Sequence, residues 1–287
     1  MTTQQRPGQM VWTDQPIREL DTDDLAACVA LAESRGWQPE HHKWRLLLTA
    51  GTGYGIDDPA GGFAGVVVCT RFGAVLAGIG MMLVAARHER QGIGAHLMRH
   101  VIANAGSATI WLTATRYGRP LYERLGFRAI DTCTLYAGDF VGDRAPAGSR
   151  PMTPADLPAI QAMDADVFGG DRADLLRGIP EFADQLRVVE GPTGLTGFGG
   201  AWPNTDNTII GPVVADDIET ARVLLADLAA GVTGPVRLDL LGSRPAQFDW
   251  AEAHGLRPVG TNTVMIIGPD LPGDRQRLFN PFMVAMG

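Results

Sequence analysis

Two glycines between a predicted strand and a predicted helix form the clearest candidate binding loop. The segment runs from Met81 to Met98, with Gly92 and Gly94 at its turn and Ala95 just after them. Small residues let a backbone approach a ligand, and the first amides of a helix lack partners, so such a turn favours an anion. The helix dipole suits a diphosphate there. The pattern predicts a diphosphate loop, although a tight turn that only packs a helix on a sheet has the same composition.

Two arginines flank this loop in a chain that is otherwise acidic. Arg87 and Arg90 lie beside the glycines, whereas the whole chain has 24 Lys and Arg against 32 Asp and Glu, a formal net charge of -8. Arginines suit phosphate oxygens, and solvated arginines on a turn give the same pattern. The net charge argues against nucleic acid and against anionic membrane surfaces as partners.

The loop resembles the motif of the GNAT superfamily of N-acetyltransferases, in which Arg or Gln is followed by two residues, Gly, one residue, and Gly or Ala. The matching segment is Glu89–Gly94, ERQGIG, with Glu89 where the family has Arg or Gln. The resemblance implies that acetyl-CoA, or another acyl-CoA, binds here as cosubstrate, with main-chain pairing of residues 82–84 to the pantetheine arm. The residues it assigns to the coenzyme are Met82, Leu83, Val84, Arg87, Glu89, Arg90, Gln91, Gly92, Ile93, Gly94, Ala95 and Thr115.

A tyrosine on a short predicted helix is the candidate catalytic group. The helix opens near Pro120 and closes at Gly126, and its sequence YERLGF resembles the GNAT segment Tyr-Glu-x-Leu-Gly-Phe. The resemblance implies that Tyr122 lies beside the thioester sulfur and donates to the departing thiolate. A phenol with a pKa near ~10 can protonate that thiolate, although an aromatic residue here would also pack its helix on the sheet. Thr115 stands where the family often has asparagine.

A faint internal repeat indicates two copies of one fold. Arg18, Asp24 and Leu25 recur 132 positions later as Arg150, Asp156 and Leu157, and each copy predicts a strand, a capped turn and a helix. In the first copy, apolar runs at 65–70, 75–84 and 109–113 predict strands, with a helix at 93–105. We therefore expect an α/β fold: two tandem GNAT-like domains, each a mixed β-sheet flanked by helices.

A connector rich in Gly, Pro and Asp at residues 138–150 sets the predicted domain boundaries. Residues 1–140 form the catalytic GNAT domain, and residues 150–287 form a degenerate GNAT-like domain. In the second copy Asp216, Asp217 and Glu219 replace the glycine loop. Carboxylates oppose a diphosphate, and they also cap helices well, so we expect no coenzyme there.

The acceptor site is predicted from two segments. In GNAT folds the segment after the first helix covers the acceptor side, which implicates Trp37, Glu40, His41 and Trp44. On a predicted strand of the second half, Asp239 either binds an acceptor amine or caps a backbone amide. The second domain either shapes the acceptor pocket or serves only as a scaffold. No general base is identified.

Three cysteines, Cys28, Cys69 and Cys133, stand singly in apolar runs, so neither disulfides nor a metal site are expected. The first fifteen residues lack a signal-peptide core, and no stretch is apolar for the ~20 residues of a membrane span. The sequence is interpreted as a bacterial cytoplasmic protein, monomer or homodimer, without membrane or nucleic-acid partners.

The leading hypothesis is an acetyl-CoA-dependent N-acetyltransferase that acts on the amine of a small metabolite. The amine attacks the thioester directly, a tetrahedral intermediate forms, and Tyr122 assists thiolate release. Two alternatives stay open at this point: an acyltransferase with another donor, either a longer acyl-CoA or an aminoacyl group, and a non-catalytic sensor that binds acyl-CoA.

Overall fold

The predicted duplication is visible in the order of the elements. The computed structural model describes residues 11–142 and 148–286, so residues 143–147 of the predicted connector lie outside the described residues. On each side of that gap the same series occurs: strand, two helices, three strands, helix, strand, helix, strand. The fold is α/β with a mixed sheet flanked by helices, as the sequence predicts.

The bounds of these elements follow the chain. The first series comprises β1 (Arg18–Leu20), α1 (Leu25–Ser34), α2 (His41–Ala50), β2 (Thr52–Asp57), β3 (Phe63–Phe72), β4 (Leu76–Val84), α3 (Ile93–Asn104), β5 (Thr109–Ala114), α4 (Arg119–Arg124) and β6 (Arg128–Gly138). The second series comprises β7 (Arg150–Pro151), α5 (Leu157–Phe168), α6 (Ala173–Phe182), β8 (Gln185–Gly191), β9 (Gly194–Pro203), β10 (Thr208–Ala215), α7 (Ile218–Ala229), β11 (Val236–Leu241), α8 (Pro245–Ala253) and β12 (Arg257–Ile267). A further strand, β13 (Leu278–Asn280), ends the series.

The residues that recur in the repeat make the same contact in both copies. Arg18 binds Asp24 with a shortest N–O distance of 2.7 Å, and Arg150 binds Asp156 at the same distance. Each aspartate also accepts the backbone N–H three residues before it, completing a capping box ahead of the helix. The recurrence of Arg and Asp therefore reflects a duplicated strand-to-helix turn.

Contacts divide the described part of the chain into two compact units, residues up to 68 with 81–104, and residues 69–80 with those from 105 onwards. In the first unit β1 pairs antiparallel with β2, with Leu20 opposite Gly53. α3 lies against β3 at Gly65, where an added Cβ would meet the side chains of Ile93 and Leu97. The close approach of α3 to the sheet explains why residue 65 is glycine.

The second unit shows an exchange of strands between the two sequence halves. Its strand order is β4, β5, β12, β6, β11, β10, β9, β8, β7, with β13 beside β10. β12 from the second half lies between β5 and β6, and β6 from the first half pairs antiparallel with β11. Strands of both halves thus share one compact unit, and the predicted domain boundary between residues 140 and 150 stays a prediction.

The three cysteines are free and buried. Burial raises the pKa of Cys28 to about 12 and that of Cys69 to about 11, and it also raises the pKa of Cys133. The thiolate is the reactive form, so these thiols are poor nucleophiles at neutral pH.

We therefore expect the native protein to resist iodoacetamide at pH 8 and the unfolded protein to take up three alkyl groups, one for each of its 3 cysteines. Mass spectrometry after timed alkylation, with and without denaturant, measures both states. Rapid alkylation of the native protein would contradict the burial described here.

Candidate active site

The backbone between β4 and α3 turns through two residues with positive φ. A turn of 3-10 helix spans Ala86–His88, and the chain then adopts positive φ at Arg90 (60°) and Gly92 (90°) before α3 begins. The first helical bond joins the His96 N–H to the Gly92 carbonyl at 2.9 Å, so the helix ladder does not use the amides of residues 93–95. Those amides lie at the positive end of the helix dipole, where an anion is stabilised.

The strand before the loop carries a backbone irregularity. Met81 has a φ of 52°, an uncommon value for a residue with a side chain, and it is buried. The parallel ladder between β4 and β5 runs from Leu76 to Ile79 and does not extend to residues 82–84. Main-chain groups of Met82–Val84, the predicted partners of the pantetheine arm, are therefore not used by that ladder. Strain of this kind clusters at functional sites.

Most charged and polar side chains of the loop are bound to residues outside it. Arg87 donates to the buried Asp58 carboxylate at 2.7 and 2.9 Å, and its side chain is still 54% exposed, so its predicted contact with the coenzyme stays a prediction. Glu89 pairs with Arg35 at 2.6 Å. Gln91 accepts the indole N–H of Trp12 at 2.8 Å.

Arg90 differs from its neighbours. It is exposed, and the structure gives it no hydrogen bond or ion pair with another described residue. It occupies the first of the two positive-φ positions of the loop. Of the two predicted phosphate-binding arginines, Arg90 is the better placed to bind an anion.

Three residues that hold the loop were missed in the sequence: Asp58, Trp12 and Arg35. Asp58 follows β2 and Trp12 lies near the amino terminus, so each is far from the loop along the chain. A lone tryptophan in a polar terminal segment was the one available signal, because a large aromatic side chain tends to be buried. No sequence pattern indicates which loop residue each of these three side chains binds.

The tyrosine helix forms as predicted, and its ends explain the motif. α4 is preceded by a turn in which the Thr115 hydroxyl accepts the Gly118 N–H at 3.3 Å. Gly126 closes the helix with a φ of 94°, a conformation that favours glycine. Thr115 is thus engaged in the turn, and its predicted contact with the coenzyme stays a prediction.

Tyr122 is almost fully buried, with 8% of its surface exposed. Its ring lies edge-on to Phe127, and an added Cβ at Gly118 would approach the ring to 2.9 Å, so glycine is needed at position 118. Burial raises the pKa of the Tyr122 phenol to about 12. The phenol therefore stays protonated throughout the neutral range, as a hydrogen donor must.

The predicted acceptor residues fall into two groups. Trp37 and His41 are exposed and accessible to a ligand. Glu40 is buried in an ion pair with Lys43, and Trp44 has no exposed surface, so it belongs to the core. Trp44 therefore packs in the core, which corrects its prediction as an acceptor contact. Its buried indole nitrogen has no hydrogen-bond partner among the described residues.

Asp239 is also corrected. Its carboxylate is 1% exposed, and both oxygens accept from Arg237, at 2.7 and 3.1 Å. The sequence left open whether Asp239 binds an amine or caps a backbone amide. In the structure it instead forms an ion pair with Arg237 on the same strand, β11. A carboxylate so enclosed has no free face for an acceptor.

In the second copy, the acidic residues at the start of α7 bind other residues of this protein. Asp217 caps α7 by accepting the Thr220 N–H at 2.7 Å, and Asp216 pairs with Arg277 at 2.6 Å. The Thr220 amide is the largest cause of the lowered pKa of Asp217. Asp217 thus caps the helix, whereas Asp216 and Glu219 form ion pairs with Arg277 and Arg222.

We expect Asp217→Ala to lower the free energy of unfolding by about 1 kcal/mol, a typical cost for losing an N-cap. Because the pKa of Asp217 is lowered in the folded protein, its contribution is present above the unfolded pKa of about 4 and is lost as the pH falls through the folded value. Urea unfolding at pH 7 and at pH 3 measures the difference, which should shrink in acid. An equal loss at both pH values would contradict the cap.

Two general features of the described residues bear on ligands. No described helix is long and apolar enough to cross a membrane. Within residues 11–142 and 148–286, no three His, Cys, Asp or Glu side chains form a group that could hold a metal ion.

Comparison with protein families gives two matches of the same description. An acetyltransferase (GNAT) domain model matches residues 51–129, which include the glycine loop and the tyrosine helix. A second acetyltransferase (GNAT) domain model matches residues 160–280. One match therefore falls in each copy of the repeat.

Individual relatives agree with these matches. The uncharacterized N-acetyltransferase YitH of Bacillus subtilis is 27% identical over 238 residues, covering 80% of this chain and 84% of that protein. A solved candidate acetyltransferase from Pyrococcus horikoshii superposes with a TM-score of 0.79 at 19% identity, over 99% of both chains. A tandem GNAT protein from the clavulanic acid biosynthesis pathway gives a TM-score of 0.62 at 17% identity, covering 90% of this chain and 100% of that one. The two structural likenesses show a shared fold.

Proposed function

The chain belongs to the GNAT acetyltransferase family and is an acyltransferase, and from that premise we propose that it transfers an acetyl group from acetyl-CoA to the amine of a small metabolite. The observation that carries this proposal is the loop of residues 90–95, with positive φ at Arg90 and Gly92 and with helix amides outside the ladder. The second copy lacks this arrangement. We therefore propose one coenzyme site per chain.

The residues of the loop fit an acyl-CoA. Its diphosphate carries negative charge and many acceptor oxygens, and the loop offers backbone donors, a helix dipole and the unpaired guanidinium of Arg90. Gly92 and Gly94 leave room for close approach. Residues 82–84 supply main-chain groups that suit the amides of the pantetheine arm.

The reaction we propose is a direct transfer. The neutral amine nitrogen attacks the thioester carbonyl carbon, the C–S bond breaks, and the acyl group ends on nitrogen as an amide. The nitrogen loses one proton and the departing thiolate gains one, so the reaction is balanced. Tyr122 donates a hydrogen bond, and then a proton, to the sulfur, and the proton that leaves the nitrogen passes to solvent, from which the phenolate is protonated again.

The high pKa of Tyr122 limits proton transfer from the phenol to the sulfur. A phenol at about 12 is a weaker acid than a thiol near ~8.5, so complete transfer to the sulfur is uphill and a shared hydrogen bond does most of the stabilising. In compensation, a phenol with a pKa of about 12 stays protonated up to about pH 10. No tyrosine ionisation should limit the rate between pH 6 and about 10.

A second candidate function follows from the burial of Tyr122. A hydroxyl on a side chain only 8% exposed favours a protein that binds acyl-CoA without turning it over, as a sensor would. The donor is also open, because a longer acyl-CoA uses the same diphosphate contacts as acetyl-CoA.

One assay separates these possibilities. The purified chain is incubated with acetyl-CoA and with longer acyl-CoAs, each against a panel of primary amines, and free thiol and product mass are followed. We expect thiol release that depends on amine and is fastest with acetyl-CoA. Binding of acyl-CoA without thiol release from any amine would support the sensor, and faster turnover of a longer donor would revise the acyl group.

A further inference from the structure

The loop of residues 87–92 is held by two buried side chains from distant parts of the same unit. The Asp58 carboxylate accepts from Arg87 at 2.7 and 2.9 Å and lies 2.5 Å from the His88 ring nitrogen Nε2. The Trp12 indole donates to Gln91 at 2.8 Å, and its ring centroid lies 4.4 Å from that of His88. Asp58 and Trp12 therefore meet on His88, the last residue of the 3-10 turn, and contact residues on both sides of Arg90.

We propose that Asp58 and Trp12 are positioning residues for the coenzyme: they fix residues 87–92 in the anion-binding conformation before the ligand arrives. The inference rests on the proposed function, since it assumes that this loop binds the diphosphate of an acyl-CoA. It adds two residues, neither of them in the glycine motif, on which the affinity for that ligand depends.

The loop needs such support because its conformation is unfavourable by itself. Arg90 adopts a left-handed φ of 60°, which a residue with a side chain holds only when its surroundings impose it. Asp58 binds Arg87 and His88, which precede Arg90 by three and two residues, and Trp12 binds Gln91, the residue after it. A loop ordered in advance loses less entropy when the ligand binds, and this raises affinity.

Burial makes the two contacts strong. Asp58 is 7% exposed and Trp12 is 5% exposed. Burial alone would raise the pKa of Asp58, but the hydrogen bonds from the Ala60 amide, His88 and Arg87 outweigh it and the pKa is lowered. The carboxylate is therefore charged at neutral pH, and charge-assisted hydrogen bonds in a buried place are stronger than neutral ones.

The segment that carries Trp12 continues along the start of α3. The Gln15 carbonyl lies 3.2 Å from a ring nitrogen of His96, and the Thr13 methyl group would be 3.4 Å from a Cβ added at Gly92. Trp12–Gln15 thus borders the turn and the first turn of α3. Its contact with Gly92 is ordinary van der Waals distance, so the positive φ accounts for glycine at position 92.

The test compares Asp58→Asn and Trp12→Phe with Asp57→Asn in the full chain. Asp57 is adjacent to Asp58, but it is exposed and bound to Arg18 at 3.1 Å, away from the loop. Trp12→Phe keeps an aromatic ring and removes only the N–H donor. Calorimetry with acetyl-CoA gives Kd, and steady-state rates give KM and kcat.

We expect Asp58→Asn to raise Kd and KM for acetyl-CoA about 10-fold or more and Trp12→Phe to raise them about 5-fold, from the lost hydrogen bonds. For both variants kcat should stay within about two-fold of wild type, and Asp57→Asn should change nothing. Binding by wild type with an unchanged Kd in Trp12→Phe and in folded Asp58→Asn would overturn this inference alone. Absence of binding by wild type would overturn the proposed function as well.

Discussion

Replacing Tyr122 with phenylalanine should lower kcat by about 10² to 10⁴-fold, the usual contribution of a positioned proton donor. The Kd for acetyl-CoA should stay within about two-fold, because the diphosphate contacts lie in the loop of residues 90–95. The variant removes one oxygen from a buried side chain and keeps the edge-on ring contact with Phe127. The fold should therefore survive, and the lost rate would reflect chemistry.

Tyr117 provides the matched control, because it lies five residues earlier and is 79% exposed. Tyr117→Phe should leave kcat, KM and Kd unchanged. Single-turnover rates at saturating acetyl-CoA isolate the chemical step from product release. If Tyr122→Phe turns over at the wild-type rate, Tyr122 has no part in the mechanism and its role is to pack α4.

Replacing Gly94 with glutamate should weaken acetyl-CoA binding by about 100-fold or more. The second residue of α3 would then carry a carboxylate against the diphosphate, and like charges placed together cost several kcal/mol. Glutamate in the first turn of a helix is itself favourable, both in propensity and toward the helix dipole. The ligand-free variant should thus unfold at the wild-type temperature or slightly above it, and the loss is specific to the ligand.

The second copy of the fold supplies the control for this change. Glu219 is the second residue of α7, as Gly94 is the second residue of α3. The Gly94→Glu variant therefore gives α3 the residue that α7 already has, and Glu219→Gly makes the reverse change. We expect Glu219→Gly to bind acetyl-CoA with wild-type affinity. Tight binding by Gly94→Glu would show that the diphosphate lies elsewhere.

The elements and the loop motif were accessible from sequence because they depend on neighbours along the chain. The cap residues Asp24 and Asp156 lie six positions after the arginines they bind, and Gly126 closes a helix that starts only seven residues earlier. Such signals are local, and they recur when the fold is duplicated. The repeated order of strands and helices was predicted on that basis.

The exchange of β6 and β12 could not be predicted in the same way. Pairing of β12 with β5 joins residues about 150 positions apart, such as Thr263 with Ala114, and either partner strand would satisfy the same apolar pattern. The repeated order of elements was therefore predictable, whereas the pairing of strands between the two sequence halves was not.

The candidate site shows the same limit in its side chains. A tight turn requires glycine, so the glycines in the sequence indicate where the turn before α3 lies. Whether an arginine is free or bound depends on partners brought in by folding, as Asp58 binds Arg87 and leaves Arg90 exposed. Burial likewise distinguishes two tryptophans of one polar segment. Trp44 is buried in the core, whereas Trp37, seven residues before it, is exposed.

Calorimetric titration of the purified wild-type chain with acetyl-CoA measures whether the loop before α3 binds the coenzyme. We expect saturable binding at one site per chain, preserved in Tyr122→Phe and weakened at least 100-fold in Gly94→Glu. No heat and no competition by free coenzyme A, or two equal sites per chain, would contradict it.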